Sequence, residues 1–514
     1  MDLPPPPLLS AALASASSLV LLQLFSRIFT FVLNQALVRL VSPQVFGTAA
    51  IQFELLLSTI LFLSREGVRN ALLRAPPSDA SSKISAGDKS TANAKALVTN
   101  ISLLPVLLGV PIAFFSALLY LTAGSITTAS QPYFHASVAI YVLAAFFELL
   151  SEPLYIRAQN ELRFDIRVKA EGMAVVLKTL TAFVVLVTAP AEYALFAFAL
   201  GQAAYGLTML LAYLRVYRRS IDYWPKKVVT AVHGNTKTMY FDPALFHLAV
   251  AMSGQSVVKH FLTEGDKFLV SRLSPLADQG GYAIASNYGS LVARIVFQPI
   301  EETSRVFFSK TLSSSSEKDQ QSLRTASNIL QTLLLLFTHL FLVLATFAPP
   351  YFPLALALFL PPRYLDTSAP TILRTYIYYI PAMAFNGVLE AFFASTASTA
   401  DLRSQSRWLL ACSLAFVGAA VVFARALALG DAGLVWANVA NMLLRAAYAW
   451  HFACRFFRER GGRQLLGVRM VVPPVGVLDG PYSYWSIVRS RVPRVACFIF
   501  ERATFTHLFV SLRK

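Results

Sequence analysis

Apolar runs of about twenty residues recur from one end of the chain almost to the other. A run of that length crosses the ~30 Å hydrocarbon core of a bilayer as one helix. Inside a bilayer every backbone donor and acceptor must be met internally, so helices or a closed barrel are the only solutions. These runs are too long, and too free of alternation, for barrel strands. Twelve spans are expected before Arg458, near 17–39, 44–73, 96–123, 134–159, 168–190, 193–217, 243–273, 279–309, 326–349, 371–398, 406–427 and 431–456. Composition agrees: mean hydropathy is +0.57 and 14% of residues are charged, against about 25% in soluble domains. The fold class read from this is an all-α polytopic membrane protein.

The net charge of +17 could suggest nucleic acid. Its distribution argues against that partner. With a cytosolic N-terminus, the connections on the cytosolic side hold 22 Lys and Arg, among them Arg163, Arg167, Lys226 and Lys227. The opposite side holds four: Arg39, Arg272, Arg363 and Arg425. This is the positive-inside pattern, and it sets the orientation. The start, MDLPPPPLLS, has no basic region before its apolar part, so the first helix itself is expected to target the membrane rather than a cleaved signal. Cys412, Cys454 and Cys497 form no CxxC and point to neither a disulfide framework nor a metal site.

Two cytosolic segments read as flexible loops: Pro76–Lys95, rich in Ser, Ala and Lys, and the basic stretch Ser220–Asp242. The second separates two similar halves. RLVSPQVFGTAA…REGVR around spans one and two matches RLSPLADQGGYAIA…EETSR around spans seven and eight. ELLSEPLYIRAQNELRFDIR in span four matches VLEAFFASTASTADLRSQSR in span ten. Both matches lie at an offset of roughly 230–240 residues. Six spans per half keep equivalent spans in the same orientation, as in parallel-repeat transporters with a pseudo-two-fold axis along the membrane normal and a central cavity. The expected organisation is 1–217 as an N-lobe, 218–242 as a basic cytosolic linker and 243–457 as a C-lobe. Residues 458–514 form an atypical arginine-rich segment, or a mis-assembled pair of further spans.

Charge inside apolar helices costs at least ~2.5–3.5 kcal/mol per residue at the helix centre, so each intramembrane ionisable group is a functional candidate. Arg27 lies in span one, and Arg65, Glu66 and Arg69 in span two. Glu148 and Glu152 lie in span four, and Lys259, Glu264, Asp266 and Lys267 in span seven. Arg294, Glu301, Glu302 and Arg305 lie in span eight, and Glu390 in span ten. Snorkelling at helix ends and local i,i+3 neutralisation account for single members of this set. They do not account for four charges within nine residues of span seven, where Gly265 lets the backbone break. Broken helices are tolerated where they line a wet cavity. Lys259, Glu264, Asp266, Arg294 and Arg27 are therefore expected to face water. Arginine also matches phosphate oxygens bidentately. The chain has no DxD, P-loop, HExxH or GxSxG motif, and its seven histidines are scattered. No catalytic residue, metal ligand or cofactor is expected, and nothing in the chain would hold ATP.

The stretch LTEGDKFLVSRL…DQGGYAIASNYGSLVARIVFQPIEETSRVFF resembles the Rft family, the oligosaccharide translocation proteins of the endoplasmic reticulum. LFLSREGVR, ELLSEPLYIRAQ and FNGVLEAFFASTAS carry the same resemblance, which covers about residues 15–457. It implies membership of the multidrug/oligosaccharidyl-lipid/polysaccharide exporter superfamily, with two six-helix lobes and fourteen spans. The last two have no clean counterpart in 458–514. It implies an endoplasmic reticulum location, and transfer of a dolichyl-pyrophosphate-linked heptasaccharide (Man5GlcNAc2) from the cytosolic to the lumenal leaflet for N-glycosylation. A non-transporting accessory protein that binds this lipid or the glycosylation machinery is the alternative; an integral-membrane glycosyltransferase is disfavoured by the absent acidic metal motif. By this resemblance Arg27, Arg65, Glu148, Glu152, Lys259, Glu264, Asp266, Arg294, Asn386 and Glu390 are candidate substrate contacts. Glu66, Arg69, Glu301, Glu302 and Arg305 are candidate gate residues, with Glu66 reaching Arg305 and Glu302 reaching Arg69 when the cytosolic side closes.

Overall fold

The computed structural model describes residues 32–74, 96–161, 163–217, 223–232, 235–313, 320–460, 466–467 and 471. Expectations for Arg27, for the 76–95 loop and for nearly all of 458–514 fall outside these residues.

The chain is a succession of long helices: α1 (Glu54–Arg74), α2 (Leu104–Ala123), α3 (Phe134–Asn160), α4 (Phe164–Thr188), α5 (Ala194–Tyr217), α6 (Pro243–Thr263), α7 (Gly265–Leu273), α8 (Leu276–Val292), α9 (Gln298–Ser313), α10 (Gln320–Phe359), α11 (Ala369–Thr396), α12 (Thr399–Val421) and α13 (Gly430–Glu459). Among the described residues, eight helices are long and apolar enough to cross a membrane. The expected spans seven, eight and twelve are helical too, but they carry the charges that dilute their apolar character. Large apolar side chains such as Phe114, Phe115, Leu119, Val187 and Leu414 are exposed on the outer faces. Lipid rather than water is the solvent such faces require.

Two compact units divide at Gly280/Gly281. The division differs from the boundary expected in 218–242: α6 packs along α1 and lies in the first unit. In that unit, α5 packs against both α3 and α4. Its core has two centres, one around Phe53, Ile60, Tyr141 and Leu149, the other around Ile101, Tyr155 and Tyr213. The second unit packs α11 against α10 and α13 around Phe308, Phe392, Phe393 and Phe457. Helix starts recur across the chain at the spacing of the sequence repeat: Phe134, Phe164 and Ala194 precede Ala369, Thr399 and Gly430 by 235, 235 and 236 residues.

Backbone irregularities sit where the sequence breaks its own pattern. A π-helical turn, Thr48–Phe53, leads into α1, and another, Ala293–Phe297, joins α8 to α9. Such turns concentrate at functional segments. Helices α6 and α7 part at Glu264, beside Gly265. Helix α10 continues ten residues past its expected end, through Pro349, Pro350 and Pro353.

The linker is not wholly a loop, which corrects the second expectation for 220–242. Val228–Val232 (β1) and Asn235–Met239 (β2) pair antiparallel, Val228 opposite Met239. The buried Asn100 holds both ends of this hairpin. Its amide donates to the carbonyls of Lys226 (2.7 Å) and Tyr240 (2.6 Å), and the Lys226 N–H donates to its Oδ1 (2.8 Å). A two-stranded hairpin is marginal by itself, so these bonds decide whether it persists. Asn100→Ala is expected to leave the helices intact while proteolytic cleavage within 223–242 speeds several-fold. An unchanged cleavage rate would show that the hairpin is held by something else.

Candidate functional site

In the first unit, the charges of spans two and four meet on facing helices. Glu152 is one residue from Pro153 in α3 and is 1% exposed. Arg69 on α1 clamps it with two nitrogens: Nε bonds one carboxylate oxygen and Nη2 donates to the other at 2.7 Å. The Arg69 guanidinium also lies 3.8 Å from the centre of the Tyr155 ring. One turn earlier on α1, Arg65 sits more loosely between Glu148 (3.5 Å) and Glu152 (3.9 Å), with a quarter of its side chain exposed. Glu148, itself buried, accepts a further bond from Gln202 Nε2 (3.0 Å) on α5. The four charges obey helix spacing: 65 and 69 lie one turn apart on α1, 148 and 152 one turn apart on α3, so two arginines oppose two carboxylates.

Glu66 points away from this cluster. It accepts from Lys259 Nζ on α6 (2.9 Å) and from Asn70 (3.3 Å). Lys259 is more than half exposed. Near the α6–α7 break, Lys267 pairs with Glu264 (2.8 Å), the Lys267 N–H donates to Asp266 (2.8 Å), and His260 meets the Thr59 hydroxyl (2.9 Å). Lys259, Glu264 and Asp266, assigned from sequence to the second lobe, thus belong to the first unit.

The second unit has its own ion pairs. Arg445 on α13 grips Glu390 on α11 through Nε (2.9 Å) and Nη2 (3.0 Å). One turn before each partner sits an asparagine, Asn386 and Asn441, whose side-chain carbonyl oxygen is buried without a protein partner. Arg305 bonds Glu301 at 3.0 Å, and Glu302 accepts from Gln298. Arg294 falls in the π turn; its side chain lies outside what the structure describes.

The gate expectation set Glu66 beside Arg69 and Glu302 beside Arg305 along their own helices, with the pairs crossing on closure. Here Arg69 takes Glu152, Glu66 takes Lys259, and Arg305 takes Glu301. The physical reason differs for each. Glu152 is the more deeply buried carboxylate and has most to gain from a bidentate cation. For Arg305, an i,i+4 partner is available on the same face as readily as the i,i+3 one. Two partners, Gln202 and Arg445, were not singled out from the sequence. The signal was present in Arg445, an arginine inside the apolar run NMLLRAAYAW; Gln202 is uncharged and gave none.

Against this geometry, the model of the Rft protein family matches residues 11–513, nearly the whole chain. The chain belongs to the Rft family. The Man(5)GlcNAc(2)-PP-dolichol translocation protein RFT1 of Yarrowia lipolytica is 34% identical over 88% of this chain and 71% of the relative. The protein of that name from Schizosaccharomyces pombe is 32% identical over 88% and 84%. A lipid II flippase MurJ in an inward closed conformation superposes with a TM-score of 0.58 at 14% identity, covering 96% of this chain and 99% of MurJ. At that identity the likeness speaks to the fold: this Rft protein is a predominantly helical polytopic membrane protein. The family match includes the arginine-rich residues after 458.

Proposed function

We propose that this Rft protein moves dolichyl-pyrophosphate-linked Man5GlcNAc2 from the cytosolic to the lumenal leaflet of the endoplasmic reticulum membrane, with its N-terminus in the cytosol. The observation that carries the reading is the family match across residues 11–513, together with relatives named for that translocation at 30–34% identity. No catalytic step is required; the protein acts as a transporter and needs no cofactor.

The side chains suit a lipid with a charged diphosphate and a polar sugar. Arg65 is the available cation: its two carboxylate contacts are long and a quarter of it is exposed, so donors remain for phosphate oxygens. Arg69 is committed to Glu152 and holds the helices in place. Lys259 offers an exposed ammonium as a second cation. Glu390 and Asn386 supply acceptors for sugar hydroxyls. Crossed attraction between the Glu66/Arg69 and Glu302/Arg305 groups remains our proposal for the closing step, and requires these side chains to exchange the partners described above. Contact with the N-glycosylation machinery is a further part of the proposal.

The test is reconstitution of the purified protein into vesicles with labelled Man5GlcNAc2-PP-dolichol. The inner-leaflet pool is expected to become accessible to an external probe within minutes, and Arg65→Ala is expected to slow that exchange at matched protein content. If wild-type vesicles hold the inner pool as tightly as empty ones, the protein is an accessory factor, and the transport reading fails.

A further inference from the structure

Trp224, just before the β1–β2 hairpin, is 83% exposed; no other Phe, Tyr or Trp among the described residues is as open. Tryptophan is highly buried on average, so an indole left this open calls for a covering. Two exposed lysines, Lys226 and Lys227, follow it. Tyr240, also exposed, stands beside them, because the single Asn100 amide takes the carbonyls of both Lys226 and Tyr240. Two open aromatic rings and two ammonium groups therefore share one small surface.

Two anchors fix where that surface stands. Asn100 is four residues into the apolar helix Ala96–Thr122, and the Tyr223 hydroxyl donates to the Leu150 carbonyl (2.9 Å), ten residues before the end of Phe134–Asn160. That 27-residue helix is ~40 Å long, ~10 Å more than the hydrocarbon core, so Leu150, ~15 Å from its end, lies at or inside the edge of the core. The faces involved are outer ones. Leu143 is two turns from Leu150 and Leu107 is two turns from Asn100, so each pair shares a helix face. Leu143 and Leu107 are among the large apolar side chains left exposed. The hairpin is thus strapped to the lipid-facing flank of the first unit at headgroup level, whereas a loop standing free in water would make neither bond. Indole and phenol rings collect at this level of a bilayer, where one end of the ring is apolar and the other wet. Each lysine beside an anionic lipid surface adds further attraction.

We propose that the 223–240 segment is a membrane-surface anchor that binds anionic phospholipid in the adjoining leaflet. Trp224 and Tyr240 seat among the headgroups, and Lys226 and Lys227 meet their phosphates. The anchor uses none of the charges of the Arg65 cluster and does not rest on the translocation reading.

Intrinsic fluorescence of the full chain in reconstituted vesicles tests the proposal. The wild-type spectrum minus that of Trp224→Phe isolates the Trp224 signal. That signal is expected to be quenched by phospholipids brominated on the acyl chain near the headgroup, and to resist acrylamide in the water. Brominated phosphatidylserine, as a minor component, is expected to quench it several-fold more efficiently than brominated phosphatidylcholine, and Lys226→Gln/Lys227→Gln is expected to abolish that preference. Quenching by acrylamide with none by either lipid overturns the proposal, since the indole then stands in water, open to a soluble protein. Lipid quenching without a headgroup preference, or a preference that the lysine variant keeps, overturns the anionic site. The substituted side chains are exposed, so a thermal melt of each variant is expected to match the wild type. Native mass spectrometry reads the headgroup preference without the tryptophan substitution: phosphatidylserine is expected to be retained over phosphatidylcholine by the wild type and not by the lysine variant, and equal retention by both proteins would again overturn the site.

Discussion

Replacing Glu152 by alanine is expected to destabilise the first unit by ~3–5 kcal/mol, because it strands Arg69 beside a buried site with no counter-ion. Glu152 is the most enclosed charge of the cluster and, among the described residues, the one that both Arg65 and Arg69 touch. The favourable reference is not a neutral core: a pair replaced as a whole by apolar side chains can be neutral or better, whereas a pair broken on one side leaves a desolvated charge. Single removal should therefore be worse than double replacement. Glu152→Ala is predicted to purify at a fraction of the wild-type yield with a lowered melting temperature in detergent. Glu152→Leu combined with Arg69→Met should recover stability without recovering transport. The exchange Arg69→Glu with Glu152→Arg should regain part of both. A Glu152→Ala protein with wild-type yield and melting temperature would mean that water reaches the pair, and the buried-clamp account would have to go.

How far the sequence disclosed this arrangement depends on what each residue had to say locally. Apolar runs and loop charges are local signals, so the helices and their order could be read directly. The charges of spans two, four, seven, eight and ten stood out because an apolar neighbourhood made each of them costly. What could not be read was their partners. Arg69 has carboxylates at 66, on its own helix, and at 152, 83 residues away; spacing favours neither, and burial decides. Lys259 was assigned to the second half by chain order, yet the close approach of α6 to α1 brings it to Glu66. The hairpin at 228–239 was missed because its strands are short and its anchor, Asn100, lies 126 residues before Lys226. Gln202 and Asn441 carried no charge to announce them.

The packing of α1 on α6 rests on one glycine. A Cβ built on Gly67 would lie 2.4 Å from the backbone N and Cα of Ser253 and 2.3 Å from its hydroxyl. Membrane helices approach this closely only where a side chain is missing on one of them. Gly67→Ala must push α6 away from α1, because the obstructing atoms are backbone and cannot rotate aside. The expected cost is ~1–3 kcal/mol of overpacking strain. Gly109 is the useful contrast. A Cβ there would also come within 2.3 Å of an atom, but that atom is Cδ1 of Leu149, the far end of a flexible side chain. Gly109→Ala should therefore be far milder. Because Glu66 adjoins Gly67 and Lys259 is on α6, the same displacement should lengthen the Glu66–Lys259 contact. A Glu66→Cys/Lys259→Cys protein is expected to cross-link with a short bifunctional thiol reagent in the Gly67 background and more poorly with Gly67→Ala added. Ser253→Gly removes the hydroxyl but not the backbone, so it should relieve only part of the strain. If Gly67→Ala melts like Gly109→Ala and cross-links like its parent, α6 is not seated against α1 as described, and the first unit ends before it.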